Sequence, residues 1–329
     1  MVIIVTGGAG FIGGNFIEQL FRINPSCTII CLDKMTYAGN PNVIAPLLKR
    51  KNFAFVKGDI CSRKTVFSLF ESTQPDYVVH FAAESHVDRS ITDPTVFLQT
   101  NIIGTSILLD ACIKYRVKRF HFVSTDEVYG DLPLDKSVPG FGEDSPMRPN
   151  SPYSSSKAAA DMLVQTYHRT YGLDVTISRC TNNYGPYQHT EKLIPKMIEN
   201  ALSGQKLPIY GTGLNVRDWI HVNDHCEAII QILFYGQPGA AYNVSGNNQL
   251  SNLELVHKIC EIVGAPLELI TFVEDRKGHD LRYALNATKI TRELGWAPKV
   301  SFEPGLRNTV QWYAEHPNWW KTFNQEGLT

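Results

Sequence analysis

Thr6-Gly7-Gly8-Ala9-Gly10-Phe11-Ile12-Gly13 lies directly after the apolar run Val2-Ile3-Ile4-Val5 and opens a segment of helical periodicity at 12–23. Its glycines repeat as Gly7-x-x-Gly10-x-x-Gly13, a variant of the fingerprint at which a strand turns into a helix beneath a dinucleotide pyrophosphate. Such a site needs backbone that turns tightly and lets a phosphate come close, while the helix N-terminus offers N–H donors. Twenty residues past Gly13, Asp33 closes a second apolar run. A carboxylate there binds a ribose 2′-hydroxyl and repels a 2′-phosphate, so NAD is expected over NADP, a preference that Lys34 beside it weakens.

The alternation continues from that turn. Apolar runs at 2–6, 28–33, 53–58, 77–82, 119–124 and 175–179 read as strands, with helices near 12–23, 42–49, 63–71, 94–115 and 152–171. This pattern predicts an α/β fold, a Rossmann-type doubly wound parallel sheet with a smaller C-terminal α/β lobe. Asp93-Pro94 has the form of an N-cap followed by proline at the first helical position. Asp59-Ile60 and Phe81-Ala82-Ala83 follow the third and fourth runs, at the sheet edge where they wall a nucleotide. Beyond Asn182 the runs shorten and Pro and Gly increase. The expected division is an NAD-binding domain carrying the catalytic residues at 1–180 and a mainly substrate-binding lobe at 181–329, with room for the chain to cross back into the sheet. The stretch 131–150, rich in Pro, Gly and charge, reads as a lid or surface excursion.

A chain of 329 residues with 43% hydrophobic and 19% charged content belongs with ordinary globular proteins. A net charge of −1 gives no global field to recruit nucleic acid or membrane, so an anionic ligand must be held by local arginines and lysines. No apolar run approaches the ~18 residues of a membrane span. The first residues lack the charged region of a signal peptide, and a cytoplasmic protein is expected. The seven cysteines form no C-x-x-C and read as reduced thiols used mostly for packing.

Tyr153-Ser-Ser-Ser-Lys157 puts a phenol and an ammonium about one helical turn apart on one face. A nearby ammonium favours phenolate and lowers a tyrosine pKa from about 10. The pair can take a hydroxyl proton while a nicotinamide takes the hydride. Ser124-Thr125-Asp126-Glu127-Val128-Tyr129-Gly130 adds two carboxyls. An alcohol oxidation needs one base, so the extra carboxyls point to a second proton transfer, such as elimination of water.

With the segments 82–90, 179–187, 191–195, 216–219 and 275–280, these motifs resemble the extended short-chain dehydrogenase/reductase family of nucleotide-sugar enzymes over nearly the whole chain. Within it they are most similar to the 4,6-dehydratases of dTDP-glucose. Thr125-Asp126-Glu127 is the specific element, because epimerases of the family usually carry small or hydroxyl residues at the two acidic positions. Lys277 departs from the proline common in the dehydratases, which loosens a loop and touches no chemical role.

The resemblance implies a role for each residue. Thr125 helps hold the sugar 4-hydroxyl, and Tyr153, beside Lys157, deprotonates it as hydride leaves C4 for NAD. The 4-ketone acidifies the C5 hydrogen. Glu127 removes that proton, Asp126 protonates the departing C6 hydroxyl, hydride returns to C6 and C5 is reprotonated. Asp126 must then be protonated far above an aspartate's usual ~3.9, which burial and Glu127 would bring about. The implied cofactor contacts are Gly7, Gly10, Phe11, Ile12, Gly13, Asp33, Lys34, Thr36, Asp59, Ile60, Phe81, Ala82, Ala83, Ser85, Thr100, Tyr153, Lys157 and Asn183. The implied substrate contacts are Ser85, Thr125, Asn182, Lys192, Leu193, Pro208, Ile209, Tyr210, Arg217, Asn252, Arg276 and His279, whose cations can offset a diphosphate. No metal is implied. A homodimer is expected through a four-helix interface of 94–115 and 152–171, whose surplus apolar residues include Leu98, Ile102, Leu109, Met162, Val164 and Tyr167.

Simpler readings compete at several positions. Asp126-Glu127 alone reads as a solvated strand-end pair, and Arg217-Asp218 as a surface ion pair. His221 and His225 have the i, i+4 spacing of helical metal ligands, but no third ligand is evident and they read as structural. His80 and His121 read as core histidines, and Trp312, Trp319 and Trp320 as C-terminal packing. The rival functions are a related epimerase, decarboxylase or dehydratase of a UDP-, GDP- or CDP-sugar, and a catalytically inactive NAD-binding regulator. Asp126 and Glu127 argue against the epimerase, and the intact Tyr153, Lys157, Asp126 and Glu127 against the regulator.

Overall fold

The structure, a computed structural model, describes residues 1–317 and Trp319; Trp320 lies outside the described residues. The strands are β1 (Val2–Thr6), β2 (Thr28–Asp33), β3 (Phe53–Lys57), β4 (Tyr77–His80), β5 (Arg119–Thr125), β6 (Val175–Cys180), β7 (Asn182–Tyr184), β8 (Leu207–Tyr210), β9 (Val216–His221), β10 (Ala241–Val244), β11 (Gln249–Ser251) and β12 (Ile270–Val273). Seven of them form one sheet in the order β10-β6-β5-β4-β1-β2-β3. Every pairing in it is parallel. Its inner strands are near-continuous apolar runs because helices cover both faces. On one face the helices Phe11–Ile23 and Val222–Tyr235 bury Phe16, Ile17 and Leu20 against Ile229 and Leu233. On the other, Arg63–Thr73, Thr105–Lys114 and Pro152–Tyr171 bury Phe70, Leu108, Leu109 and Val164.

The chain does cross back: β10 pairs with β6, so residues far beyond 180 complete the sheet. The remaining strands make a three-stranded sheet, β11-β9-β7, and a β12-β8 pair, around a core that includes Ile198, Trp219, Ile259 and Leu306. The sheet order reverses between β1 and β4, and the crevice outside their carboxyl ends is where α/β sheets bind ligands.

Local signals place the helix that matters most. Ser151 and Ser154 form a capping box, Pro152 takes the first turn, and Gly172 ends Pro152–Tyr171 in the left-handed region. The helix expected at 42–49 is broken into Pro41–Ile44 and a 3₁₀ turn Leu47–Lys49, with Pro46 capping the turn. The stretch 94–115 is helical, its N-cap Asp93 accepting from Thr95 N, but Leu98–Gly104 winds as a π-helix. Asn101 in that segment bonds both backbone groups of Glu84 and the Ser156 hydroxyl. By length and composition Pro94–Lys114 is apolar enough for a membrane span, but half of that window is buried inside the protein, as in a core helix.

Two of the six apolar residues expected at a dimer face belong to the core: Leu109 and Val164 are both 0% exposed. Leu98 and Met162 are exposed, and Val96 and Ile103 join them there. The stretch 131–150 is no free lid. The buried Arg282 guanidinium holds the carbonyls of Asp135 and Val138, and Phe141 stacks on Tyr129. His80 sits between the hydroxyls of Thr6 and Thr105, and His121 between those of Thr176 and Ser178. His221 caps Val222–Tyr235, while His225 pairs with Asn183. Among the described residues no group of three or more His, Cys, Asp or Glu is arranged for a metal. All seven cysteines are free. Trp312 and Trp319 pack on Tyr187.

Candidate active site

Gly7 adopts φ +72°, and a Cβ there would stand 2.6 Å from Ala82 N; a Cβ on Gly13 would stand 2.3 Å from Gly7 O. Only glycine allows this turn to close. Gly10 caps Phe11–Ile23 without a side chain, so the first N–H groups of the helix face outward for an anion. At the end of β2, Asp33 accepts from Ala9 N at 3.0 Å and Met35 N at 2.8 Å. Burial pushes its pKa up, and those two N–H groups oppose the shift. Lys34, mostly exposed, pairs with Asp59 at 2.8 Å.

One cavity of about 360 Å³ runs from this turn to the centre of the molecule. All the residues expected to hold a cofactor line it, from Gly7, Gly10, Phe11, Ile12 and Gly13, through Asp33, Lys34, Thr36, Asp59 and Ile60, to Phe81, Ala82, Ala83, Ser85 and Thr100. Its far end is lined by Thr125, Asp126, Glu127, Tyr153, Lys157 and Asn183. The glycine cradle, the open helix end and the carboxylate fit an adenine dinucleotide without a 2′-phosphate.

A second cavity of about 300 Å³ is lined by Pro208, Ile209, Tyr210, Arg217, Asn252, Arg276 and His279. Ser85, Glu127, Asn182, Lys192, Leu193 and Trp219 line both, so the two spaces join there. Arg217 and Asp218 are no surface pair. Both are buried, and Arg217 donates to the carbonyls of Val216 and Asp280 and lies over the Tyr283 ring. Asp218 accepts from Ser245 Oγ and Asn248 N instead, because adjacent strand residues face opposite ways. Lys192 Nζ donates to Ser85 O at 2.8 Å, and burial lowers its pKa. His279 is oriented by Asp275 at 2.6 Å and is pushed down to about 4 by burial, with Arg276 adding to the shift. The amide oxygens of Asn182 and Asn252 are buried without a partner among the described residues.

Glu127 lines both cavities, and Thr125, Asp126, Tyr153 and Lys157 line the first. Thr125 ends β5, accepts from Glu127 N and donates to Asp126 Oδ1 at 3.2 Å, opening the 3₁₀ turn Asp126–Tyr129. Burial raises the Asp126 pKa well above the carboxylate range, with Glu127 and then Asp218 adding to it, and its Oδ2 has no partner among the described residues. Burial raises Glu127 too, but Arg276, Arg217 and Lys192 oppose. Burial thus raises both carboxyls, with Glu127 and Asp218 adding to the shift at Asp126 and three cations opposing it at Glu127. Neither is a solvated strand-end carboxyl.

Tyr153 differs from the sequence expectation. Burial raises its phenol well above 10, and the negative Glu127 adds to the shift. Lys157 points its ammonium at Val123 O, 2.7 Å away, and lies 4.1 Å from the Phe122 ring centre. Burial pushes it down to about 8, against the opposing carboxylate of Asp161.

Several lining residues were not singled out from sequence. Glu191 and Trp219 line both cavities, and His86, Asp88 and Tyr283 line the second. Glu191 stands beside Lys192, and Trp219 two residues past Arg217, so neighbourhood was the available signal. A phenol, a buried carboxyl raised by its surroundings and a cation-flanked carboxyl thus line adjoining ligand spaces. That set suits an oxidation followed by an elimination.

The family model described as GDP-mannose 4,6 dehydratase matches residues 4–309. The dTDP-glucose 4,6-dehydratase of Streptomyces niveus is 47% identical over 98% of this chain and 95% of that protein. The Haemophilus influenzae dTDP-glucose 4,6-dehydratase is 49% identical over 95% of this chain and 98% of that protein. The solved structure of DesIV, a dTDP-glucose 4,6-dehydratase from Streptomyces venezuelae with NAD and dTDP bound, has a TM-score of 0.94 at 48% identity, covering 98% of this chain and 100% of that one. The UDP-glucose 4-epimerase of Thermotoga maritima shares the fold at a TM-score of 0.89 and 32% identity, covering 96% of this chain and 100% of that one. The chain belongs to the nucleotide-sugar 4,6-dehydratase family, on the dTDP-glucose 4,6-dehydratase branch of the extended short-chain dehydrogenases/reductases.

Proposed function

We propose that this protein is an NAD-dependent lyase that converts dTDP-glucose to dTDP-4-keto-6-deoxyglucose. One observation carries the reading: Asp126, buried and pushed toward its neutral form, lies beside the cation-flanked Glu127 at the junction that also holds Tyr153. NAD, when bound, would supply the hydride acceptor and donor that the side chains lack. Gly7, Gly10 and Gly13 would cradle its pyrophosphate and Asp33 would bind its ribose.

Arg217, Arg276 and Lys192 hold the substrate diphosphate, with Asn182, Asn252 and His279 around the nucleoside and sugar. Thr125 and Tyr153 take the 4-hydroxyl, and Tyr153 accepts its proton. The positive nicotinamide ring opposes the upward shift that burial imposes on this phenol. The C5 proton, acidified by the 4-ketone, goes to Glu127. Asp126 gives its proton to the C6 oxygen, which leaves as water, and C5 takes a proton back as C6 receives hydride. The wall around the junction holds the ring in place through all the steps.

The enzyme acts as a homodimer in the cytoplasm. Val96, Leu98, Ile103 and Met162 give the helices Pro94–Lys114 and Pro152–Tyr171 an exposed apolar face for a four-helix interface. The deciding experiment uses dTDP-glucose deuterated at C4. The label is expected at C6 of the same product molecule, which has lost one water. Label lost to solvent, or a 4-epimer without water loss, overturns the dehydratase reading.

A further inference from the structure

Tyr153 and Lys157 project from the helix Pro152–Tyr171, whereas Asp126 and Glu127 belong to the turn Asp126–Tyr129. The proposed reaction, on which this inference rests, needs both sets around one sugar ring that stays still between steps. A buried polar chain joins the two elements behind the site. Arg179 on β6 donates from Nε and Nη2 to the two oxygens of Asp161, each at 2.9 Å. Asp161 lies one turn beyond Lys157 on the same helix face. From Nη1, the guanidinium donates to the Tyr129 hydroxyl at 2.7 Å and to Glu143 O at 3.0 Å. Tyr129 ends the turn and donates in its own right to Asn243 Oδ1 on β10 at 2.9 Å. Arg179, Asp161, Tyr129 and Asn243 are all 2% exposed or less. None of them lines either cavity.

A buried ion pair of this kind adds little stability over apolar residues of the same volume. What it adds is geometry: the planar five-donor fork holds its partners at set angles, as a lysine ammonium cannot. We propose that Arg179 is a positioning residue that ties the catalytic helix to the Asp126–Tyr129 turn, so that the oxidation groups and the elimination groups address the same ring. The helix has further anchors in its Ser151 cap and in the bond from Lys157 to Val123. The turn is also held by its Thr125 cap, by Arg148 N on Val128 O and by Tyr129 on Asn243, but Arg179 reaches it through the Tyr129 hydroxyl, so loosening that link harms elimination first.

Tyr129→Phe tests this. It keeps the ring, its stacking on Phe141 and the Arg179–Asp161 pair, and deletes the two bonds of the hydroxyl, from Arg179 and to Asn243. Formation of reduced nicotinamide in the first turnover should stay within about threefold of wild type, while water elimination slows about 10- to 100-fold, the cost of a shift of up to about 1 Å. Reduced-nicotinamide absorbance should therefore build up during turnover, with KM little changed. Arg179→Lys, which keeps the charge and gives up the fork, should slow both steps, elimination more. Equal slowing of the two steps in Tyr129→Phe, or no slowing, overturns the proposal. Failure of both variants to fold overturns it too, because the network then serves folding alone. Wild-type enzyme run beside them separates the two readings: if it releases no dehydrated sugar, the dehydratase reading itself has failed and the proposal goes with it.

Discussion

Lys157 donates to the Val123 carbonyl at 2.7 Å, which ties the helix Pro152–Tyr171 to the end of β5. The groups facing this ammonium are Asp161 on its own helix and Cys180 on β6, and it bears in turn on His80 in β4. Burial outweighs them and pushes Lys157 down to about 8. A lysine depressed in the folded state loses its proton before the unfolded chain does. Its penalty on stability is therefore full below pH about 8 and is relieved as pH rises toward the ordinary lysine value of about 10.4. Activity runs the other way. The profile of kcat/KM should fall on the alkaline side with an apparent pKa near 8, because the protonated lysine is lost. A limb near pH 10 would show that Lys157 keeps its proton throughout.

Replacing Asp126 with Asn and Glu127 with Gln together should separate the half-reactions. Tyr153 remains, so oxidation proceeds; the groups assigned to elimination are gone, and that step should slow ~10²- to 10⁴-fold. Reduced nicotinamide should persist on the protein, visible by absorbance, with little dehydrated sugar formed. Dehydration near the wild-type rate would remove both residues from the mechanism.

Much of this site was legible in the sequence because its signals are local. Gly7-x-x-Gly10-x-x-Gly13 specifies a turn that only glycine can make, and Ser151-Pro152 with Gly172 bounds the catalytic helix at both ends. What escaped was set by distant contacts. The π-helical winding at Leu98–Gly104 goes with Asn101 reaching Glu84 and Ser156, partners 17 and 55 residues away. The upward shift at Tyr153 comes from burial and from Glu127 across the site, which a Tyr-x-x-x-Lys spacing does not report. Leu109 and Val164 looked like surplus apolar residues, but they pack on opposite helices of one core.

The exposed apolar face leads to a prediction about assembly. Ile103 is 46% and Met162 53% exposed in the single chain, so a homodimer through these helices should bury both. Ile103→Glu with Met162→Glu changes no cavity-lining residue and should convert the dimer to monomer in light scattering at micromolar concentration. A wild-type protein that is already monomeric there excludes the four-helix interface.

Nucleotide preference follows from the second cavity. Thymine and uracil differ by one methyl group, which can fit among apolar surfaces such as Pro208 and Ile209 in the lining. Burying a methyl is worth about 1 kcal/mol, about fivefold in kcat/KM. The cations of Arg217, Arg276 and Lys192 bind the diphosphate of either nucleotide equally. Discrimination against UDP-glucose should therefore be modest unless the lining also excludes the ribose 2′-hydroxyl, and dUDP-glucose separates the two effects. If the methyl alone is read, dUDP-glucose and UDP-glucose should fall together, about fivefold below dTDP-glucose. If the 2′-hydroxyl is also rejected, UDP-glucose should fall well below dUDP-glucose. Equal kcat/KM for all three sugars would mean that this cavity does not read the nucleoside, and the thymidine preference would have to be abandoned.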